Sequence, residues 1–238
     1  MSPTPPEGET SAALPFSLRM IALLEVISVT MSILLTVWAV LPLQLNQRWL
    51  VAGPGLLALV LIVYSQRVRG ETPSDLGFSR RHFGKALSLL LIPMLAGAAL
   101  FLGGGYGTGT LNIKPHFWRS VALLPAWGLM QQYILQAFVY RRFRFLLVRP
   151  ELGEAEQRKR VRLAILLTAL LFALIHAPNP LLMGLALAGG LVWSWVYERA
   201  PNLFALGISH ALMSAVILLS LPPNSMRVGF DYFIFHGF

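Results

Sequence analysis

Seven long apolar runs dominate this sequence, and they limit what the chain can fold into. A helix needs about 20 apolar residues to cross roughly 30 Å of hydrocarbon. Of the 238 residues, 56% are apolar and 12% are charged, and the mean hydropathy is +0.66, more apolar surface than a soluble globule of this size could hide from water. We therefore predict an all-α polytopic transmembrane bundle of about seven spans, within limits of six to eight. The runs occupy approximately 18–42, 49–65, 86–103, 117–140, 162–178, 181–198 and 202–221.

The basic residues predict how the bundle is oriented. Lys and Arg cluster in segments 66–85 and 141–162, which lie two crossings apart, and are sparse in the loops between them. Loops rich in Lys and Arg stay in the cytoplasm, so we expect an integral protein of the plasma membrane, of the bacterial inner-membrane type, with a cytoplasmic N-terminus. The net charge of +9 is then a basic surface against anionic lipid, and we expect no nucleic-acid partner.

The same pattern divides the chain into parts. Residues 1–17 contain four prolines and two glutamates and are predicted to be a disordered cytoplasmic tail. The bundle occupies 18–221, and a C-terminal tail follows over 222–238. The glycine-rich stretch 103–110 is expected to be a flexible loop on the outer side. Segment 141–162 is expected to form a solvated amphipathic helix on the inner headgroups.

Polar side chains inside three of the spans suggest a site. An ionisable or amide group in a span is costly and usually faces the bundle interior or a water-filled cavity. Helical rise places these groups about 15, 21 and 12 Å from the inner boundary, all in the middle of the membrane. A single polar cavity walled by the fourth, fifth and seventh spans would accommodate them all. The groups are Gln131, Gln132 and Gln136 in the fourth span, His176 in the fifth, and His210 and Ser214 in the seventh.

Alternative interpretations stay open at this point. Each of these groups could instead be an interhelical hydrogen bond, typically worth about 0.6 kcal/mol. The histidines, together with Glu25 in the first span, could also be relay groups of a transporter or a proton-coupled channel. Glu25 lies six residues after Arg19, so it could snorkel, pair with a basic partner, or reach the cavity and supply a carboxylate.

Three short motifs resemble a known family, the CAAX prenyl protease and bacteriocin-processing (CPBP) intramembrane proteases. Members of that family carry Glu-Glu-x-x-x-Arg, Phe-x-x-x-His and His-x-x-x-Asn on successive spans. In this chain QQYILQ (131–136), FALIH (172–176) and HALMS (210–214) occur in the same order. The aromatic-rich run 193–211 is also similar, and the likeness covers a CPBP-like core over roughly 117–220.

The resemblance implies a peptidase that acts on membrane-embedded or lipidated peptides, with an altered site. His176 and His210 match the two family histidines, while both glutamates are replaced by Gln131 and Gln132. An amide cannot accept a proton from water, so the usual general base is missing. His176 could act as the base by itself, and Ser214, in the asparagine position, could still donate to an oxyanion. A catalytically inactive pseudoprotease that binds membrane helices or peptides is the alternative.

The residues of the predicted cavity also indicate whether it holds a metal or a cofactor. Gln136 replaces the family arginine, so acid and base are neutralised together and the cavity is expected to be neutral and hydrogen-bonding. The chain has no cysteine, which excludes thiolate chemistry. Two histidines without a third protein ligand fall short of a catalytic zinc site, so we expect no bound metal and no cofactor. The sequence does not indicate an oligomeric state.

Overall fold

The computed structural model describes residues 16–40, 48–113 and 115–236, and its regular elements there are all helical. Residues 1–15 of the predicted N-terminal tail lie outside the described residues. Two of the helices continue directly as π-helices, one over Thr36–Val40 after the first helix and one over Tyr133–Tyr140 after the fourth. The α-helices are α1 Phe16–Leu35, α2 Arg48–Val68, α3 Phe83–Gly107, α4 Phe117–Gln132, α5 Arg141–Leu147, α6 Glu154–Ile175, α7 Pro180–Arg199, α8 Leu203–Ser220 and α9 Gly229–His236.

The all-α transmembrane bundle is confirmed. Each of the seven predicted runs overlaps a long helix, from α1 through α4 and from α6 through α8. Within the described residues, four helices are long and apolar enough to cross a membrane, and Ala52–Val68 is a shorter apolar helix. The four are Ser17–Val40, Phe83–Gly107, Pro180–Arg199 and Leu203–Ser220. The chain is an integral membrane protein.

Helix packing is closest within three groups of helices. Helix α8 packs between α3 and α4, α6 packs along α7, and α1 packs along α2. Asparagine side chains start the last two spans, because Asn179 accepts a hydrogen bond from the Leu182 amide and Asn202 accepts one from the Ala205 amide. Asn202 also donates to the carbonyls of Ser79 and Arg81, which joins the start of α8 to the loop before α3.

The start of basic segment 141–162 contacts basic segment 66–85. Arg141 and Arg142, at the start of α5, both pair with Glu71, which follows α2. Arg142 also pairs with Glu25 on α1 at 3.1 Å, and its side chain is 2% exposed. The prediction of one solvated helix over 141–162 is therefore wrong for this residue, because two carboxylates compensate its charge in the interior. The segment forms α5, a turn and the start of α6.

The glycine-rich stretch 103–110 also differs from its prediction. Residues up to Gly107 continue α3, and only Thr108 and those after it leave the helix. Gly105 is buried, and a Cβ there would lie 3.2 Å from the Ser220 Cα at the end of α8. Gly105 therefore allows two helix ends to pack closely, and most of the stretch is helical rather than a flexible loop. The predicted C-terminal tail contains a 3₁₀ turn, Pro223–Met226, and α9.

Candidate active site

Two close helix crossings lie next to the residues of the candidate site. On α4, a Cβ added to Gly128 would lie 2.7 Å from the Gly207 carbonyl oxygen on α8. On α7, a Cβ added to Gly190 would lie 2.9 Å from the Ala169 Cα on α6. Small residues let helix backbones approach each other in a membrane. Each crossing lies one helical turn from the polar and aromatic residues of the site.

His210 is held by an amide and by an indole. Gln132, one turn after Gly128, donates from Nε2 to His210 Nδ1 at 3.1 Å. The Trp193 ring stacks on the imidazole with centroids 4.6 Å apart and 7° between the planes, and its Nε1 donates to Ser209. Because an amide nitrogen only donates, Nδ1 is the accepting nitrogen, and the proton of neutral His210 lies on Nε2. The second nitrogen is therefore a hydrogen-bond donor.

His176 is held in the opposite tautomer. It follows the last residue of α6, and its Nδ1 lies 2.7 Å from the carbonyl oxygen of Phe172, one turn earlier. A carbonyl oxygen only accepts, so Nδ1 carries the proton and Nε2 of the neutral ring keeps a lone pair. The Phe172 ring also packs edge-on against this imidazole, with centroids 4.8 Å apart. His176 is thus oriented with a proton-accepting nitrogen.

One aromatic ring joins the two histidines. The Phe172 centroid lies 6.2 Å from that of His210 and 4.8 Å from that of His176. The two imidazole centroids are therefore no more than about 11 Å apart, the sum of those distances. His210 is buried and His176 is half-buried. The structure thus brings His176 and His210 near each other, with Trp193 of α7 against His210. That these residues form one functional site stays a prediction.

The remaining predicted site residues differ in position. Gln131 is half-buried, and it is Gln132 rather than Gln131 that contacts a histidine. Gln136 is fully buried in the π-helical segment, and neither of its amide atoms has a hydrogen-bond partner among the described residues. Ser214 is half-buried on α8, one turn after His210. The catalytic roles of Gln131, Gln136 and Ser214 stay predictions.

Glu25 pairs with basic partners. Its Oε2 lies 3.1 Å from Arg142 Nε and 3.2 Å from Arg69 Nη2. Of the three alternatives left by the sequence, pairing is the one that the structure shows. Within the described residues, neither histidine hydrogen-bonds to a carboxylate, and no group of three or more His, Cys, Asp or Glu side chains could hold a metal ion.

Hydrogen bonds to the C-terminal segment hold the turn formed by residues 176–179. Asn179 donates from its amide to the carbonyls of Ser225 and Arg227, and the Gly229 amide donates to the Ala177 carbonyl. Gly229 has a φ of +58°, and a Cβ there would lie 2.7 Å from the carbonyl oxygen of Val37 in the first π-helix. Residues 225–229 thus join the turn after His176 to the π-helix that follows α1.

Comparison with known proteins identifies the region that carries this geometry. Residues 113–216 match the family model described as type II CAAX prenyl endopeptidase Rce1-like. This segment is Rce1-like. The match, which covers less than half of the chain, confirms the resemblance, and the Rce1-like segment contains Gln132, His176, Trp193 and His210. No curated protein and no solved structure matches the chain.

Sequence reasoning missed Trp193 and the two glycine crossings. The aromatic-rich run 193–211 supported the resemblance, but a tryptophan in an apolar span is usually lipid-facing or core, and no pattern singled this one out. Gly128 and Gly207 each precede a predicted site residue by one turn on its helix face. That spacing is the signal that could have shown which helix faces meet.

Proposed function

We propose that this chain is an intramembrane peptidase that cleaves lipidated peptides of the CAAX type, with His176 as its general base. The observation that carries the proposal is the orientation of His176, whose Nε2 is left free to accept a proton beside His210. The Rce1-like match over 113–216 supports the substrate class. The N-terminus and both basic segments are proposed to lie in the cytoplasm, where the substrate enters.

The proposed reaction uses neutral side chains. His176 Nε2 accepts a proton from a water molecule as the water oxygen bonds to the scissile carbonyl carbon. The carbonyl oxygen becomes an oxyanion that accepts hydrogen bonds from His210 Nε2 and the Ser214 hydroxyl. The carbon–nitrogen bond then breaks, and the leaving amine takes the proton from His176. Gln132 keeps His210 in the donating tautomer, which is the positioning role that an amide can fill.

The absence of a carboxylate partner favours a second candidate. In the described residues, the only side chain that hydrogen-bonds to either histidine is the amide of Gln132. A site of this kind would suit a non-hydrolytic relative that binds a membrane helix or a lipidated peptide without cutting it. The two candidates share the fold and differ only in turnover.

Cleavage of a prenylated CAAX peptide in proteoliposomes tests the proposal. The wild type should release the C-terminal tripeptide, and His176→Ala should lower the rate by about 10² to 10⁴-fold, because the general base is removed. The matched control is His236→Ala, which removes an exposed histidine on α9. Gln131→Glu should retain or raise turnover by restoring a carboxylate near the water.

The outcomes separate the candidates. No cleavage by the wild type together with tight peptide binding would establish the non-hydrolytic relative. Turnover that survives His176→Ala would rule out the histidine base, and Glu25→Gln would then test the carboxylate of α1.

A further inference from the structure

Two fully buried polar side chains have no hydrogen-bond partner among the described residues. The Gln136 side chain and the Ser194 hydroxyl are 0% exposed, and none of their three polar atoms hydrogen-bonds to a described residue. Burying an amide or hydroxyl without a partner costs about 1–3 kcal/mol. Each such group in a native structure needs an explanation, and a ligand that is bound only while the protein functions is one explanation.

Two contacts bracket Gln136 and Ser194 along the chain, on segments that pack together. The π-helical segment Tyr133–Tyr140 packs against α7. Above them, Gln132 reaches Trp193 through His210; below them, Tyr140 donates to Glu198 at 2.6 Å. Gln136 lies midway between Gln132 and Tyr140, and Ser194 lies between Trp193 and Glu198. Both groups are therefore between the histidines and the basic side of the bundle.

We propose that Gln136 and Ser194 bind a peptide group of the substrate backbone; this rests on the proposed function and extends it. A primary amide with a free N–H and a free C=O is complementary to a peptide C=O and N–H, and the hydroxyl adds a further donor or acceptor. The site contains no charge, so an anion or a metal ion would lie there without compensation. An extended peptide that reached His176 from the basic side would run past Gln136 and Ser194.

The expected effect differs between binding and stability, which makes the site testable. Gln136→Met keeps the volume and removes a buried amide that has no partner, so it should raise the melting temperature. The matched control is Gln66→Met, because Gln66 is equally buried but donates to the Ala137 carbonyl and accepts from the Tyr133 hydroxyl. Gln66→Met should lower the melting temperature, since both partners lose their bonds.

Binding is measured on the His176→Ala background, where the peptide stays intact. The probe is a prenylated CAAX peptide in nanodiscs, and a second set carries an N-methyl group on one backbone nitrogen at a time after the prenylated cysteine. In the parent, one N-methyl position should raise Kd about tenfold. In Gln136→Met, Kd for the unmodified peptide should rise about tenfold, and the same N-methyl group should add no further loss. Ser194→Ala should weaken binding less.

Equal N-methyl effects in the parent and in Gln136→Met would overturn the proposal. So would a melting temperature that falls in Gln136→Met as it does in Gln66→Met, or no peptide binding at all. Cleavage by the wild type with an unchanged Kd in Gln136→Met would reject this site and keep the peptidase. The predicted Kd pattern without any cleavage would keep this site and reject the peptidase.

Discussion

Gly128 on α4 and Gly207 on α8 face each other so closely that a Cβ on Gly128 would lie 2.7 Å from the Gly207 carbonyl oxygen. A Cβ on Gly207 would lie 2.9 Å from the Leu129 Cα, so the backbones of the two helices pack directly against each other. Gln132 follows the first glycine by four residues and His210 follows the second by three. The contact therefore sets the distance across which these two side chains hydrogen-bond.

Gly207→Ala should weaken both folding and turnover. The added methyl group must push the helices apart, and overpacking of this kind costs about 1–3 kcal/mol. A displacement of 1 Å at a catalytic group can lower the rate about 10²-fold. The control is Gly184→Ala on α7, where an added Cβ meets nothing within 4 Å. This substitution should stabilise the helix by about 0.5–1 kcal/mol, because alanine loses less conformational freedom on folding than glycine. Thermal unfolding in detergent and peptide cleavage measure the two effects; an unchanged Gly207→Ala would contradict the role of the contact.

Arg142→Ala should destabilise the bundle strongly. Its guanidinium pairs with Glu25 and Glu71, and removing it leaves Glu25 with Arg69 and Glu71 with Arg141 as their remaining partners. Leaving a buried charge wholly unpaired typically costs about 3–5 kcal/mol, which is therefore the upper limit expected here. Arg158→Ala, which breaks an exposed i,i+4 pair with Glu154, should leave the melting temperature unchanged. Similar shifts for the two variants, measured by thermal unfolding, would argue against the buried cluster.

Acidification should weaken the same cluster. Burial tends to raise the pKa of Glu71, but the guanidinium groups of Arg142 and Arg141 outweigh it and hold the pKa below the ordinary 4.5. A lowered folded-state pKa means that the stabilisation is present above pH 4.5 and is lost as the pH falls through the folded-state value. Melting temperatures measured from pH 7 to pH 3 should therefore fall less steeply for Glu71→Gln than for the wild type. Parallel curves would show that this carboxylate contributes nothing.

Single cysteines at Ser79 and Gln157 should label from the same side. The chain is free of cysteine, so each substitution is unique, and the ion pairs of Glu71 with Arg141 and Arg142 place the two basic segments together. An impermeant thiol reagent should reach both from the cytoplasmic side of membrane vesicles. Asn112→Cys, beside the end of α8, should label from the opposite side. Labelling of Ser79→Cys and Gln157→Cys from different sides would reject the topology.

Features set within one helix could be predicted from the sequence. The apolar runs indicated where the long helices lie, because length and hydropathy decide whether a segment suits the bilayer. The spacing of Phe172 and His176 indicated a shared face, and the two do contact each other. The cost of a carboxylate in a span made pairing with a basic residue one of three alternatives for Glu25, and the structure shows pairs with Arg69 and Arg142.

Features that depend on how helices are rotated against each other could not be predicted in the same way. Periodicity places Gln131 and Gln132 on adjacent faces of α4 but does not say which faces α8; the Gly128 crossing selects Gln132. The burial of Arg142 depends on two carboxylates that are distant in the sequence. Trp193 contacts His210 only because α7 and α8 are antiparallel neighbours around the site.

The π-helical segment Tyr133–Tyr140 separates two sets of contacts on one continuous helix: the Gln132 bond to His210 and the Arg142 pairs with Glu25 and Glu71. A π-helix turns less per residue than an α-helix, so this segment holds about one extra residue without turning either set of contacts away from its partners. Deleting that residue and restoring α-helical winding would leave the two sets in nearly the same relative orientation. A homologue that is one residue shorter between Gln132 and Arg142 is therefore expected to keep both the inner ion cluster and the histidine contact on an ordinary α-helix.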